Sequence, residues 1–138
     1  MNSSKIRFKL LALFLFASVL KAEAKDFKEG MGTAYGVSES SIIEHNGNKS
    51  YVSKGRQQNF VTGAQINSLT GEVSLSFNEV LNVHLKPQTK MIINRFQFNT
   101  SKHYIEIFVQ QGDAQFNIVD EEKVELTLRT PEGMVRAR

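Results

Sequence analysis

Residues 72–85 read EVSLSFNEVLNVHL, and this stretch decides the fold class. Apolar residues alternate with serine and asparagine from Val73 to Asn78, and the alternation resumes toward Leu85. A period of two places successive side chains on opposite faces of a β-strand. The stretch therefore predicts two strands, each with one buried face and one solvent-exposed face.

The same alternation recurs along the chain. Apolar side chains stand two residues apart in segments 104–109, 116–118 and 124–128, with turn residues between them. Asn46-Gly47 is a strong hairpin signal, because both central residues of a type I′ turn need positive φ. No window sustains helical apolar spacing. We predict an all-β domain of short strands, either an irregular β-solenoid-like arrangement or a rolled sandwich.

The first 24 residues have the features of a signal peptide. Three basic residues precede an apolar run over residues 10–20, and residues 22–24 read Ala-Glu-Ala, a cleavage pattern. The run is shorter than the about 20 apolar residues that a spanning helix needs. We expect cleavage near Ala24, a periplasmic or secreted protein with no membrane span afterwards, and one domain over residues 25–138. An uncleaved N-terminal anchor is the alternative.

The charge balance argues against a nucleic-acid partner. The whole chain has 17 Lys+Arg, 14 Asp+Glu and a net charge of +3. Residues 1–24 hold four of the basic and one of the acidic residues, which leaves thirteen of each in residues 25–138. A nucleic-acid binder needs a basic surface. The chain also has no Cys, which excludes disulfides and Cys-based metal sites.

No catalytic or metal-binding motif is visible in the sequence. The histidines, His45, His84 and His103, fall outside the short spacings of zinc motifs. No Gly-x-Ser-x-Gly nucleophile elbow occurs. The glycine-rich stretch 30–36 lacks the spacing of a phosphate loop, and we interpret it as a flexible lead-in to the first strand. We therefore expect a non-enzymatic protein with no cofactor and no metal.

Three segments together resemble the FecR domain family. Residues 75–89, LSFNEVLNVHLKPQT, are similar to the family's strand, turn and strand ending in L-x-P-x-T/S. Residues 105–116, IEIFVQQGDAQF, resemble its L-x-x-G-x-x-x-F/V element. Residues 129–136, RTPEGMVR, resemble its V-x-T-P-x-G-x-x-V-R-G-T element. The resemblance covers about residues 30–136.

The resemblance implies a periplasmic binding module built of short strands. FecR domains occur in regulators that relay outer-membrane receptor occupancy to a sigma factor, and in stand-alone envelope proteins. The family has no catalytic residues to carry over. The anti-sigma segment and inner-membrane helix of the full regulators have no counterpart here, so we do not expect direct sigma-factor control.

The family pattern continues into a G-T-x-F strand, whereas this sequence stops at Arg138. We therefore expect an unpaired sheet edge near residues 132–138 that pairs with another chain. The residues predicted to form this pairing segment are Thr130, Pro131, Gly133, Met134, Val135 and Arg136.

The leading interpretation is a non-catalytic, periplasmic FecR-like module that binds another, unidentified envelope protein, with its oligomeric state open. The alternative is a periplasmic lipid or glycan carrier with a β-roll of the lipopolysaccharide-transport type. A lipid carrier would need an apolar groove wide enough for an acyl chain. A gene fragment without selected function and a hydrolase with clustered His and carboxylates are the remaining alternatives.

Overall fold

The computed structural model describes residues 27–137, with backbone only for residues 134–137. The predicted signal peptide, residues 1–24, lies outside the described residues. The described part contains thirteen strands and a one-turn 3₁₀ helix, Glu121–Lys123. The strands are β1 (Lys28–Glu29), β2 (Met31–Ser38), β3 (Ser41–His45), β4 (Asn48–Val52), β5 (Gln57–Val61), β6 (Gln65–Asn67), β7 (Glu72–Phe77), β8 (Leu81–Leu85), β9 (Lys90–Phe98), β10 (His103–Gln111), β11 (Ala114–Ile118), β12 (Val124–Thr130) and β13 (Gly133–Ala137).

The strands form two sheets. Sheet A has the order β13-β12-β10-β9-β6-β3-β4, with β1 also paired to β9. Sheet B has the order β11-β8-β7-β2-β5. The pairs are antiparallel except for β10 with β12, which is parallel. Most connections carry the chain from one sheet to the other, and the hairpins stay within a sheet. The result is a rolled two-layer sandwich, which confirms the all-β prediction.

Both sheets contribute alternate side chains to one core. Val73 and Phe77 of β7 are fully buried and Leu75 is 1% exposed, as the alternation predicts. The Phe77 ring meets Phe60 of β5 edge-on at 5.1 Å and Phe96 of β9 at 5.0 Å between centroids. The contact with Phe96 joins sheet B to sheet A, and the contact with Phe60 lies within sheet B.

The predicted β3–β4 hairpin is confirmed. Asn46 has φ 52° and Gly47 has φ 82°, the positive values that a type I′ turn requires. Pro87 lies just after β8 ends at Leu85, where a residue without an N–H costs no ladder hydrogen bond.

The glycine-rich stretch departs from the flexible lead-in that the sequence suggested. Gly32 and Gly36 lie inside β2 and are buried. A Cβ on Gly32 would overlap the Phe60 ring, and one on Gly36 would overlap the carbonyl oxygen of Ser53. The glycines are therefore needed for close packing, a use that spacing alone does not distinguish from flexibility.

Within residues 27–137, no helix has the length and apolar character needed to cross a membrane.

Candidate functional site

The predicted pairing segment lies at the β12–β13 hairpin. Thr130 ends β12, Pro131 and Glu132 form the turn, and Gly133 begins β13. The Thr130 hydroxyl accepts a hydrogen bond from the Glu132 N–H at 3.3 Å and donates to the Gly133 carbonyl at 3.4 Å. Short polar contacts thus close the turn and set the register in which Thr130 faces Gly133.

Strand β13 is an edge strand. It is the last strand in the order of sheet A, and β12 is its one partner in the described part of the chain. The backbone of Met134, Val135 and Arg136 lies within it. Beside the turn is an open cavity of about 400 Å³ lined by the turn residues together with Asn94 and Phe108. The structure therefore brings all six predicted residues onto one hairpin at one sheet edge.

The three histidines do not converge. His45 Nε2 lies 3.1 Å from the Thr62 carbonyl, and His103 stacks on Phe98 at 5.4 Å. His84 lies on sheet B. Among residues 27–137, no group of three or more His, Asp or Glu side chains is arranged to hold a metal ion.

His84 stands between two polar side chains of β7. Its Nε2 lies 2.7 Å from Glu72 Oε1, and its Nδ1 lies 3.3 Å from Ser74 Oγ. The alternation correctly placed His84 on the polar face of β8. It missed both neighbours, although the short β7–β8 connection sets the register that pairs Ser74 with His84.

A serine beside a histidine and a carboxylate resembles the components of a nucleophilic site. Such a site also needs free N–H donors to stabilise an oxyanion. Strand β7 lies between β2 and β8 in sheet B, so its backbone N–H groups are engaged in the two ladders around Ser74. The cluster accordingly orients the His84 ring without an adjacent oxyanion hole from β7.

The outer surface of sheet B carries two rows of side chains, which we call the polar face. The strand registers place one residue from each of the five strands in each row. The first row consists of Asn59, Thr33, Ser76, Asn82 and Asn117. The second row consists of Gln57, Tyr35, Ser74, His84 and Gln115.

A groove of about 740 Å³ lies over the polar face. Neither row contains Lys, Arg, Asp or Glu. Just beyond the second row, the Glu72 carboxylate is paired with His84, and Asp113 stands opposite Lys86. Contacts inside the rows are few and long, such as Thr33 Oγ1 to Asn59 Oδ1 at 3.5 Å. The face therefore presents amide and hydroxyl groups to solvent and leaves much of their hydrogen-bonding capacity unused.

Sequence reasoning did not find this surface. It recognised Ser74 and Ser76 as exposed strand positions but had no means of aligning them with residues of β2 and β5. That alignment depends on which distant strands pair, and local alternation carries no signal for it.

The region between the two sheets is filled by aromatic side chains. Phe60, Phe77 and Phe96 fill the region between the two sheets, each at most 3% exposed. The groove lies on the outside of sheet B, and its twelve lining residues are polar except for Leu75, Val83 and Phe116.

Comparisons with known proteins give no match: no family model, no curated protein and no solved structure is similar to this chain. The FecR resemblance thus stays a prediction from the sequence.

Proposed function

We propose that the chain is a non-catalytic, FecR-like binding module of the periplasm, which engages another envelope protein by pairing a strand with β13. The observation that carries the proposal is the position of β13 at the end of sheet A, with β12 on one side. An edge strand offers backbone N–H and C=O groups in a row, which an extended segment of another protein can pair with.

The hairpin geometry specifies which positions would pair with the partner. In a hairpin with a two-residue loop, the flanking residues, here Thr130 and Gly133, exchange hydrogen bonds with each other. Backbone groups then alternate between the two sides of β13. We expect Val135 to point its N–H toward Leu128 of β12, and Met134 to point its N–H away from β12.

The non-catalytic part of the proposal is supported by the setting of His84. Its hydroxyl and carboxylate neighbours lie on a regular central strand whose N–H groups are paired in the sheet. The periplasmic part is supported by the signal-peptide features of residues 1–24 and by the resemblance to FecR domains.

The test uses two proline variants of the full chain that differ in which side of β13 loses its donor. Met134→Pro removes the outward N–H, and Val135→Pro removes the N–H that pairs with β12. Each variant and the unaltered chain are immobilised and exposed to envelope extract, and amide exchange of β13 is measured with and without the captured protein.

We expect Met134→Pro to stay folded and lose the partner, while Val135→Pro weakens the hairpin itself. In the unaltered chain, the β13 amides become protected when the partner is bound. Capture of the same protein by Met134→Pro, or unchanged exchange of β13 in the complex, would overturn strand pairing at this edge.

A further inference from the structure

We infer that the polar face of sheet B is a binding site for an uncharged oligosaccharide. It lies on the opposite sheet from β13 and does not depend on the function proposed for that strand. The inference stands on four properties of the surface: its extent, its lack of charge, its unused hydrogen-bonding groups and its exposed tyrosine.

The polar face has the extent of an elongated ligand. Each row crosses five strands, and neighbouring strands are about 4.8 Å apart, so a row is about 19 Å long. Ser74 and Ser76, the smallest side chains of the rows, lie on the central strand β7 between larger side chains of β2 and β8. The centre is therefore low and its flanks are high, which gives the groove of about 740 Å³.

The lack of charge excludes several ligand classes from this surface. A phosphate or nucleic acid would find no Lys or Arg in either row, and a basic segment would find no Asp or Glu there. Just beyond the second row, the Glu72 carboxylate lies 2.7 Å from His84, and Asp113 stands opposite Lys86, whose N–H donates to the Asp113 carbonyl. An uncharged ligand needs no opposite charge on the protein, so the two rows suit it.

The hydrogen-bonding groups suit a ligand with many hydroxyls. Amide and hydroxyl side chains both donate and accept, as sugar hydroxyls do, so either partner can supply the proton. In the described part of the chain, no hydrogen bond joins the side chains of Ser76, Asn82 or Asn117 to another residue. These groups are bound to solvent, which a ligand hydroxyl can replace or bridge.

Tyr35 supplies the apolar contact that a sugar ring needs. It stands in the second row on β2 and is 44% exposed. The C–H groups on one side of a pyranose ring can pack on an aromatic face while its hydroxyls reach the neighbouring amides. A protein partner would instead favour a buried apolar or aromatic centre, whereas the centre here is Thr33, Ser74 and Ser76.

The test titrates the full chain with defined oligosaccharides. The uncharged probes are cellohexaose, maltohexaose and chitohexaose, and the acidic comparison is a hyaluronan hexasaccharide. Binding is followed by calorimetry and by amide chemical shifts. We expect at least one uncharged probe to bind and to shift amides of β2, β7 and β8, with no such response to the acidic probe.

Two variants locate the binding. Tyr35→Ala and Ser76→Asp should each weaken binding roughly tenfold or more, since one removes the stacking surface and the other places an unpaired charge beside Asn82. Tyr51→Ala is the matched control, because Tyr51 is 64% exposed on β4 of sheet A. It should bind as the unaltered chain does.

Failure of all three uncharged probes would overturn the inference, as would equal binding by Tyr35→Ala and Tyr51→Ala. Preference for the acidic probe would also contradict it. The oligosaccharide test is independent of the strand-pairing proposal for β13. Met134→Pro leaves the polar face intact, so this variant should retain oligosaccharide binding.

Discussion

The outer faces of the two sheets are built by the same alternation and differ in what their polar groups do. On sheet A, Arg129 Nε lies 2.6 Å from Glu106 Oε2, and the Arg95 guanidinium lies over the Tyr104 ring at 5.1 Å. Gln97 also donates to Glu29 at 2.8 Å. These charged groups of sheet A therefore already have partners in neighbouring side chains. Sheet B has two uncharged rows with few mutual contacts, which leaves its groups available to a ligand.

The comparison shows that strand periodicity fixes which positions face solvent but leaves their chemistry open. Among the described residues, the charged groups named above on sheet A have partners, while the side chains of Ser76, Asn82 and Asn117 on sheet B make no hydrogen bond to another residue. In this fold, a candidate binding surface is therefore one whose exposed polar side chains have no partners within the protein.

The largest expected effect comes from Phe77→Ala, which removes the ring that both sheets share. The ring is fully buried, so we expect a loss of about 3–5 kcal/mol in the free energy of unfolding. Urea denaturation measures it. Tyr51→Ala should stay within about 0.5 kcal/mol of the unaltered chain. If Phe77→Ala disrupted one sheet and left the other folded, the two sheets would not depend on one shared core.

Gly36→Ala should act mainly on the sheet B side. The added methyl group would overlap the Ser53 carbonyl and push β2 away, at a cost of about 1–3 kcal/mol. Gly133→Ala is the control, since no atom lies within 4 Å of its Cβ position. Denaturation gives the stability of both variants. If the amide chemical-shift changes of Gly36→Ala were confined to β10 and β12 of sheet A, they would contradict the expectation that this variant acts mainly on sheet B.

The smallest effect is expected from the ion pair on sheet A. Arg129 and Glu106 are 48% and 28% exposed, so Glu106→Gln should cost about 0.2–1 kcal/mol and less at high salt. A double-mutant cycle with Arg129→Gln isolates the pair. Oligosaccharide binding should not change, and a change would mean that the two faces are coupled.

Local patterns predicted the parts of the fold whose partners are close in sequence. The alternation from Val73 to Phe77 and the Asn46-Gly47 turn both carry their own structural signal, and both were correct. Strand β9 carries a weaker signal because its register against β10 shifts between Ile93 and Arg95. At that bulge two exposed residues follow each other, and the period of two is lost.

The two candidate sites, the β12–β13 hairpin and the polar face, also differ in how far apart their residues lie in the sequence. A turn at Thr130, Pro131 and Gly133 was predicted because these residues lie within four positions and resemble one motif of a family. The polar face was missed because its rows combine residues as distant as Thr33 and Asn117, which meet only through the order of five strands. Long-range strand order depends on the whole core and has no local code.

The pairing of β9 with three strands has a consequence for biosynthesis. Strand β9 joins β10, β6 and β1, so the two halves of sheet A cannot meet before residues 90–98 have been made. In a chain growing from its N-terminus, β1 and β6 therefore lack a neighbour until β9 is complete. Strands β2 and β3 already have their partners once β7 has been made. We therefore expect the joining of the two halves of sheet A to be a late step in folding, because it depends on contacts between residues far apart in sequence.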